Sequence, residues 1–332
     1  MRRVDIHSHL FPDAVFARLP KGLIAERFPA RDQVGVRAVD GPSAGRGAPI
    51  AVRDVAAHRR VREAHRVDVA ILSAWNKLTA VTEDPDLEAE LCRVVNQELA
   101  AATQAGPDAY LASLPVADGA RAADELSRAI GEGAVGGLLT ANPHRGLLDR
   151  ADLAHLWRTA EALGAPLLVH PSYFVAPPRL RDGEFSNAVG YPFETTLAAA
   201  SLLAAGVPDR FPDLRLILVH GGGFLPYQYG RVVAGLTRHG GRRLPRAGLD
   251  YVRWFYFDTA QLEGPALRYL LDLVGPSRVL AGTDCPLAMC DFSIIDDPAQ
   301  FGLGPEESAQ VLGGNADRLF QLDRSTSART AS

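Results

Sequence analysis

The sequence predicts a (β/α)8 barrel of the α/β class, and three observations lead to that fold. Eight short runs of β-branched and aliphatic residues recur along the 332 residues. Stretches rich in Ala, Leu and Arg alternate with them, and their apolar residues recur at helical spacing. Eight strands that alternate with helices give a parallel sheet with the number of strands that closes a barrel. An open doubly wound sheet is the alternative, but the Gly-rich phosphate turn expected after its first strand is missing.

The predicted strands are short and apolar, as expected for strands that are buried on both faces of a parallel sheet. In chain order they are Val4–His7, Val67–Ser73, Tyr110–Pro115, Val135–Leu139, Pro166–His170, Leu214–His220, Trp254–Asp258 and Arg278–Gly282. Three helices are predicted most clearly. Asp86–Ala105 carries an apolar stripe, Asp118–Gly131 begins at a capping Asp, and Asp149–Leu163 precedes a terminating Gly164.

Three segments interrupt the alternation of strands and helices. Residues 11–52 are predicted to be a small insertion after strand one, a hairpin over the barrel mouth, and 171–192 and 286–303 are predicted to be long loops. All three follow strand C-termini, where the loops of a barrel build active sites. We expect residues 1–322 to form one domain and the polar tail 323–332 to be disordered.

The composition excludes several classes of partner. A net charge of −4 gives no basic field for nucleic acid, and no apolar run reaches the ~18 residues that a membrane span needs. Three cysteines without CxxC spacing argue against a disulfide framework, and the charged N-terminus does not look like a signal peptide. A cytoplasmic protein is therefore expected.

The residues that point to chemistry lie at the predicted strand ends. His7 and His9 stand two apart on a strand, so both imidazoles face the same side. His170 ends strand five, His220 ends strand six, and Asp284 follows strand eight. Imidazole and carboxylate ligands suit zinc, manganese or iron(II), and a bound divalent cation lowers the pKa of a bound water.

Each of these residues also has an ordinary interpretation. A single histidine at a strand end is usually structural, and Asp284 could simply cap a turn. The metal site is predicted because all five fall at the same rim of one barrel. Among the other histidines, His58 and His65 are expected to be solvated on a polar helix, whereas His144 is a candidate for lining the substrate pocket.

The order of these residues resembles the amidohydrolase superfamily, and more narrowly the branch that contains α-amino-β-carboxymuconate-ε-semialdehyde decarboxylase. The similar stretches are VDIHSHLFP at the start, HPSYF at 170–174, GYPFETTLAAASLLAAGVPDRFPDLRLILVHGGGFLPYQYGR at 190–231, GTDCP at 282–286 and GGNADRLF at 313–320. HxH alone is weak evidence, but this ordered series covers most of the chain.

The resemblance implies a role for each matching residue. His7, His9, His170 and Asp284 would bind one metal, and His220 would act as general acid and base, with Asp284 also taking part in catalysis. Arg231 would lie near the site, and Arg238 would reach the pocket across the interface of a homodimer.

The resemblance also bears on the metal and the substrate. Binuclear relatives bridge two metals with a carboxylated lysine on strand four. Neither Lys21 nor Lys77 is near that strand, so one divalent ion is expected, zinc first and manganese second. The family holds a substrate carboxylate with an arginine of the insertion, and Arg31, Arg37, Arg46 and Arg53 are candidates. Ser172–Tyr173 departs from the usual Trp-Asp, and Tyr173 is a candidate substrate contact.

The first functional hypothesis is metal-dependent, non-oxidative decarboxylation of an unsaturated or aromatic carboxylic acid. The runner-up is hydrolysis of a lactone, amide or imine, with hydration of an unsaturated dicarboxylate as a variant. A binding or scaffold module is a third possibility, and it predicts the loss of one or more ligands. All five residues are present, which favours an enzyme.

Overall fold

The computed structural model describes residues 1–41, 47–143, 146–172 and 185–322. Eight parallel strands form a sheet in the order β1-β5-β6-β7-β8-β9-β10-β11, which confirms the predicted barrel. The strands are β1 (Val4–His9), β2 (Leu23–Phe28), β3 (Gln33–Ala38), β4 (Ala48–Pro49), β5 (Val69–Ser73), β6 (Ala109–Ser113), β7 (Gly136–Thr140), β8 (Leu167–His170), β9 (Leu216–Leu218), β10 (Tyr256–Asp258) and β11 (Val279–Leu280).

The ring closes between its last and first strands. The Ile6 amide donates to the Ala281 carbonyl at 3.0 Å, and the Asp284 amide donates to the His7 carbonyl at 2.8 Å. The His9 amide donates to the Cys285 carbonyl at 2.6 Å. Because these bonds run along β1 past the end of β11, the segment that carries Asp284 lies directly beside His7 and His9.

Helices surround the barrel and connect successive strands. They are α1 (Asp13–Ala17), α2 (Ile50–Arg53), α3 (Val55–Ala64), α4 (Pro85–Thr103), α5 (Gly119–Gly131), α6 (Ala154–Leu163), α7 (Tyr191–Ala204), α8 (Val207–Arg210), α9 (Leu225–Ala234), α10 (Gly248–Trp254), α11 (Gly264–Val274), α12 (Ser293–Asp296), α13 (Pro305–Ala309) and α14 (Asn315–Phe320). The predicted Asp118 cap accepts hydrogen bonds from the amides of Ala120 and Arg121, and Gly164 ends α6 at φ 60°.

The segment after the first strand folds as a separate antiparallel sheet. β2 pairs with β3 from Leu23–Ala38 to Phe28–Gln33, and β3 pairs with β4. Pro29–Arg31 forms the 3-10 turn between β2 and β3. Arg31, Gln33 and Pro49 reach the same cavity as His220 and Asp284, so this sheet forms part of the wall of the cavity at the barrel mouth.

Several strand boundaries differ from the predicted ones. β9 is only Leu216–Leu218 because the chain turns out of the sheet at His220, whose φ is 56°. β10 begins at Tyr256 because Trp254 still belongs to α10. The predicted loop 286–303 contains α12 and a second short helix, Pro298–Phe301.

Among the described residues, no helix is both long enough and apolar enough to cross a bilayer. The tail 323–332 lies outside the described residues.

A buried ion pair fixes α3 against the barrel. Arg62 donates to both carboxylate oxygens of Asp108, at 2.6 and 2.5 Å, and their side chains are 5% and 2% exposed. Asp108, directly before β6, also accepts a hydrogen bond from the Ala70 amide of β5 at 3.0 Å. One carboxylate therefore joins a helix to two strands.

We expect Asp108→Ala to lower the free energy of unfolding by about 3–5 kcal/mol, because it leaves the Arg62 guanidinium buried without its carboxylate. Urea denaturation measures the change. Asp272→Ala is the matched control, because Asp272 pairs with Arg268 across one turn of α11 and its side chain is 68% exposed. The control should lose less than about 1 kcal/mol, and equal losses would contradict the structural role of the Arg62–Asp108 pair.

Candidate metal centre and active site

Four potential metal ligands meet at the C-terminal rim of the barrel. His7 and His9 lie on β1, His170 ends β8, and Asp284 follows β11 at φ 60°. All four are buried, and one donor atom from each lies within 4.8 Å of the others. The structure therefore brings together the residues that the sequence proposed as ligands.

The donor atoms converge closely enough to fit a cation. His9 Nε2 lies 3.2 Å from His7 Nε2 and 3.1 Å from Asp284 Oδ1. The other ring nitrogen, Nδ1, is occupied in His7 by Asp258 at 2.6 Å and in His170 by the Pro171 carbonyl at 2.7 Å. These bonds direct the Nε2 lone pairs inwards, and three imidazoles with one carboxylate suit a divalent transition metal.

His220 lies beside this cluster rather than in it. Its ring centroid is 5.4 Å from those of His7 and His170, and its Nδ1 is buried without a hydrogen-bond partner among the described residues. The three glycines that follow allow the sharp turn. A Cβ on Gly222, at φ 79°, would come within 2.6 Å of the Phe257 ring, so no larger residue fits there.

Asp258 was missed as a site residue by sequence reasoning, although it ends a predicted strand at the same rim as the histidines. Its side chain is fully buried, and its Oδ1 accepts from the Gly221 amide at 3.0 Å while Oδ2 bonds His7. One carboxylate thus orients a candidate ligand and also fixes the turn of His220.

Asp5 is a second buried carboxylate that the sequence did not single out. It accepts from the amides of His7 and Thr283 and, at 2.6 Å, from the Thr283 hydroxyl. Burial raises the pKa of Asp5 to about 6, although these hydrogen bonds oppose the rise. Asp5 therefore ties β1 to the segment that carries Asp284.

Burial governs the protonation of the histidines. It lowers the pKa of His220 to about 4, assisted by the nearby His7, and it lowers the pKa of His9. The pKa of His170 lies well below its usual value because of burial and the neighbouring His9 and His7. At neutral pH these rings are therefore uncharged and can offer lone pairs to a cation.

His7 and Asp284 differ from the other site residues. Burial alone would lower the pKa of His7, but its hydrogen bond to Asp258 and the surrounding carboxylates raise the pKa overall. Burial alone would raise the pKa of Asp284, but the hydrogen bond from His9 and the nearby histidines lower it. Asp284 consequently stays ionised, as a metal ligand must.

The expectation that His58 is solvated is wrong. His58 is buried on α3, and its Nε2 lies 3.1 Å from the hydroxyl of Ser8, which stands between His7 and His9. The reason is helical geometry, because His58 and Arg62 are four residues apart and share the face that packs on the barrel. His65 is partly exposed, but it pairs with Asp296 at 2.7 Å and stacks on Phe292.

A cavity of about 260 Å³ opens onto the cluster. His170, His220 and Asp284 line it, together with the aromatic rings of Trp75 and Tyr191. Ligand pockets in proteins usually measure roughly 300–1,000 Å³. This cavity lies just below that range, so it suits a small ligand with one ring.

The structure distinguishes between the candidate arginines of the insertion. Arg31 lines the cavity. Arg37 donates to the carbonyls of its own hairpin, and Arg53 is buried in ion pairs with Asp13 and Asp32. Arg46 lies outside the described residues.

The remaining predicted substrate contacts do not lie in this cavity or are not described. Arg231 on α9 and Arg238 in the π-helical turn Gly235–His239 are exposed, and neither is among the residues that line it. Tyr173 and His144 lie outside the described residues. These four assignments remain predictions.

Residues 4–322 match the family model described as amidohydrolase. The chain belongs to this amidohydrolase family. The resemblance inferred from the sequence motifs is thereby confirmed, and the four candidate ligands lie at the strand ends of an amidohydrolase barrel.

This amidohydrolase is similar to curated and solved decarboxylases. It is 29% identical to 2-amino-3-carboxymuconate-6-semialdehyde decarboxylase of Dictyostelium discoideum, over 80% of this chain and 76% of the relative. It is 28% identical to 6-methylsalicylic acid decarboxylase of Penicillium expansum, over 96% of each chain. It shares its fold with dihydroxybenzoic acid decarboxylase of Polaromonas sp. JS666, solved with manganese and 2-nitroresorcinol, at a TM-score of 0.78, 23% identity and 97% coverage of each chain.

We expect Asp258→Asn to weaken binding of manganese or zinc by about 10- to 100-fold, because loss of the charge at His7 Nδ1 makes this imidazole a poorer and less fixed ligand. Competition against a chelator of known affinity measures the change. The exposed Asp272→Asn variant should bind the metal as the wild type does. Equal affinity of all three proteins would contradict the orienting role of Asp258.

We expect stability to fall as the pH drops below about 6.5, because buried histidines must take up protons on acidification. Burial, followed by the nearby Arg62, lowers the pKa of His58 to about 3. The stability that the protein gains by keeping His58 neutral is therefore complete above about pH 6.5, the usual pKa of an exposed histidine. It is lost as the pH falls from there towards 3.

Denaturation of the chelator-treated protein at several pH values between 7 and 4 tests this dependence. His58→Gln, which keeps a polar group for Ser8, should reduce the loss of stability over this range. The exposed His155→Gln variant should keep the wild-type slope. A wild-type slope in His58→Gln would show that His58 does not contribute.

Proposed function

We propose that the protein is a cytoplasmic, metal-dependent enzyme that removes carbon dioxide, without oxidation, from an aromatic carboxylic acid. The observation that carries this proposal is the cavity itself, in which His170, His220 and Asp284 face the same space as Trp75 and Tyr191. Relatives named as decarboxylases of aromatic or unsaturated acids support the reaction.

His7, His9, His170 and Asp284 would hold one divalent ion. Manganese and zinc both accept this ligand set, and the manganese in the structure of the Polaromonas relative supports testing manganese alongside zinc. The ion would supply positive charge that binds and polarises the oxygens of the acid.

His220 is the proposed acid and base. Because burial keeps its ring neutral, it can accept a proton from a substrate hydroxyl or from water. It then delivers that proton to the ring carbon that bears the carboxylate. The new C–H bond forms, the C–C bond breaks, and its electron pair restores the aromatic ring as carbon dioxide leaves. Asp284 assists by keeping a negative charge beside His9.

Arg31 is the proposed contact for a substrate carboxylate, since it is the insertion arginine that reaches the cavity among the described residues. The guanidinium can bind a carboxylate with two parallel hydrogen bonds. Trp75 and Tyr191 would pack against the substrate ring, and both are at least nine-tenths buried.

We also propose that the protein works as a homodimer. Phe224, just before α9, is 41% exposed, and Tyr227, on α9, is 77% exposed and lies next to the exposed ring of Tyr269. An exposed aromatic patch favours a protein contact, and Arg231 and Arg238 continue along the same helical segment. Light scattering tests this proposal, and a fully active monomer would refute it.

We expect His220→Asn to reduce kcat by about 10²- to 10⁴-fold while the metal content stays unchanged, because it removes the proton carrier but no ligand. The assay is carbon dioxide release by the manganese- or zinc-loaded protein from 2,6-dihydroxybenzoate, 6-methylsalicylate and a carboxymuconate semialdehyde. His155→Asn on α6, whose side chain is exposed, is the control.

Two results would overturn the proposed reaction. The first is a metal-loaded, folded protein that releases no carbon dioxide from any member of the panel. The second is hydrolysis of simple lactones by the same preparation without carbon dioxide release, which would favour the hydrolase instead.

A further inference from the structure

Lys77 is a pocket residue that neither the motifs nor the proposed reaction account for. It lies in the 3-10 turn Asn76–Leu78, which follows β5, and its side chain lines the cavity of the metal centre. The chain contains two lysines, and the other, Lys21, is exposed outside this cavity. Of the two lysines, Lys77 is therefore the one that can contact a ligand in this cavity.

Two aromatic rings position the ammonium group. Lys77 Nζ lies 5.0 Å from the ring centroid of Tyr191 and 5.7 Å from that of Trp75. Both rings line the same cavity and are 9% and 7% exposed. Cation–π attraction holds the charge close to the two ring faces, and a substrate ring packed against these aromatics would place its substituents near Nζ.

The charges around the cavity favour a ligand with more than one negative group. Among the described residues that line it, Arg31 and Lys77 are cations, whereas Asp284 is a carboxylate that faces the histidine cluster. A divalent ion bound by the four candidate ligands would add further positive charge. A ligand with a second anionic group could therefore contact one of these cations with each of its two groups.

We propose that Lys77 selects an aromatic acid that carries a second anionic oxygen, either a carboxylate or an ionised phenol. This inference rests on the proposed function because it takes the ligand to be the substrate of that reaction. The preference of Lys77 for a second anionic oxygen can nevertheless be measured by binding alone. The lysine ammonium group is a compact point charge, so it can donate a hydrogen bond to either kind of oxygen. It does not need the two parallel hydrogen bonds that the guanidinium of Arg31 forms with a carboxylate.

Binding of unreactive probes tests the inference without any turnover. The probes are benzoate, with one anionic group, isophthalate, with two carboxylates, and 4-hydroxy-3-nitrobenzoate, whose phenol ionises near neutral pH. Calorimetry on the manganese-loaded protein should give at least tenfold tighter binding of one or both dianions than of benzoate, since a hydrogen bond to a charged group contributes about that factor or more.

The lysine variants then locate the source of the preference. Lys77→Met keeps an unbranched side chain against the two rings and should reduce the preference to below threefold, and Lys77→Arg should retain most of it. Lys21→Met is the matched control and should bind as the wild type does. A Lys77→Met protein that melts at the wild-type temperature and keeps the tenfold preference would overturn the proposal.

Chemical labelling of the wild-type protein provides a test that does not depend on any variant folding. An amine-acetylating reagent can modify two lysines in this chain, so peptide mass spectrometry reports each one separately. Isophthalate should protect Lys77 more strongly than benzoate does, with Lys21 unaffected. Equal protection by the two acids would refute the role of Lys77, whereas a positive result with no decarboxylation would refute the proposed function alone.

Discussion

The site depends on one buried carboxylate, that of Asp258. It bonds the His7 imidazole on one side of the barrel at 2.6 Å and the Gly221 amide after β9 at 3.0 Å. A fully buried carboxylate needs such partners, because burying it without them would cost several kcal/mol of folding free energy. The position of the proposed ligand and that of the proposed acid and base are therefore not independent. Any shift in the β10 strand end moves both.

The turn at this rim explains why β9 is so short. The φ of His220 is 56°, which takes the chain out of the sheet just after β9 ends at Leu218, whereas Asp284, at φ 60°, lies beyond the end of β11. Glycines are the usual residues at such angles, and here a histidine and an aspartate adopt them. Gly221, Gly222 and Gly223, which follow His220, also have positive φ values. Regular strand pairing therefore ends near the rim, where the side chains of the candidate site converge.

The fold and the cluster of candidate metal ligands were predictable from the sequence because their signals are local. Aliphatic runs marked the strands, and His-Ser-His marked two side chains on one face. Asp258 was not singled out because an Asp after a strand also suits a turn, and only the barrel shows that it faces His7. His58 was predicted wrongly because its neighbours are charged, and the side of α3 that packs on β1 is set by tertiary contacts. Lys77 and Arg31 join the site only through packing between distant loops.

Closure of the ring between β11 and β1 has a consequence for biosynthesis. His7 and its partner Asp258 are 251 residues apart in the chain, and Asp284 comes later still. At roughly 5–20 residues per second, tens of seconds of translation separate the first candidate ligand from the last. During that interval His7 and His9 have been synthesised without the carboxylate of Asp284. The full set of four candidate ligands therefore exists only after the last strand of the barrel has joined the first.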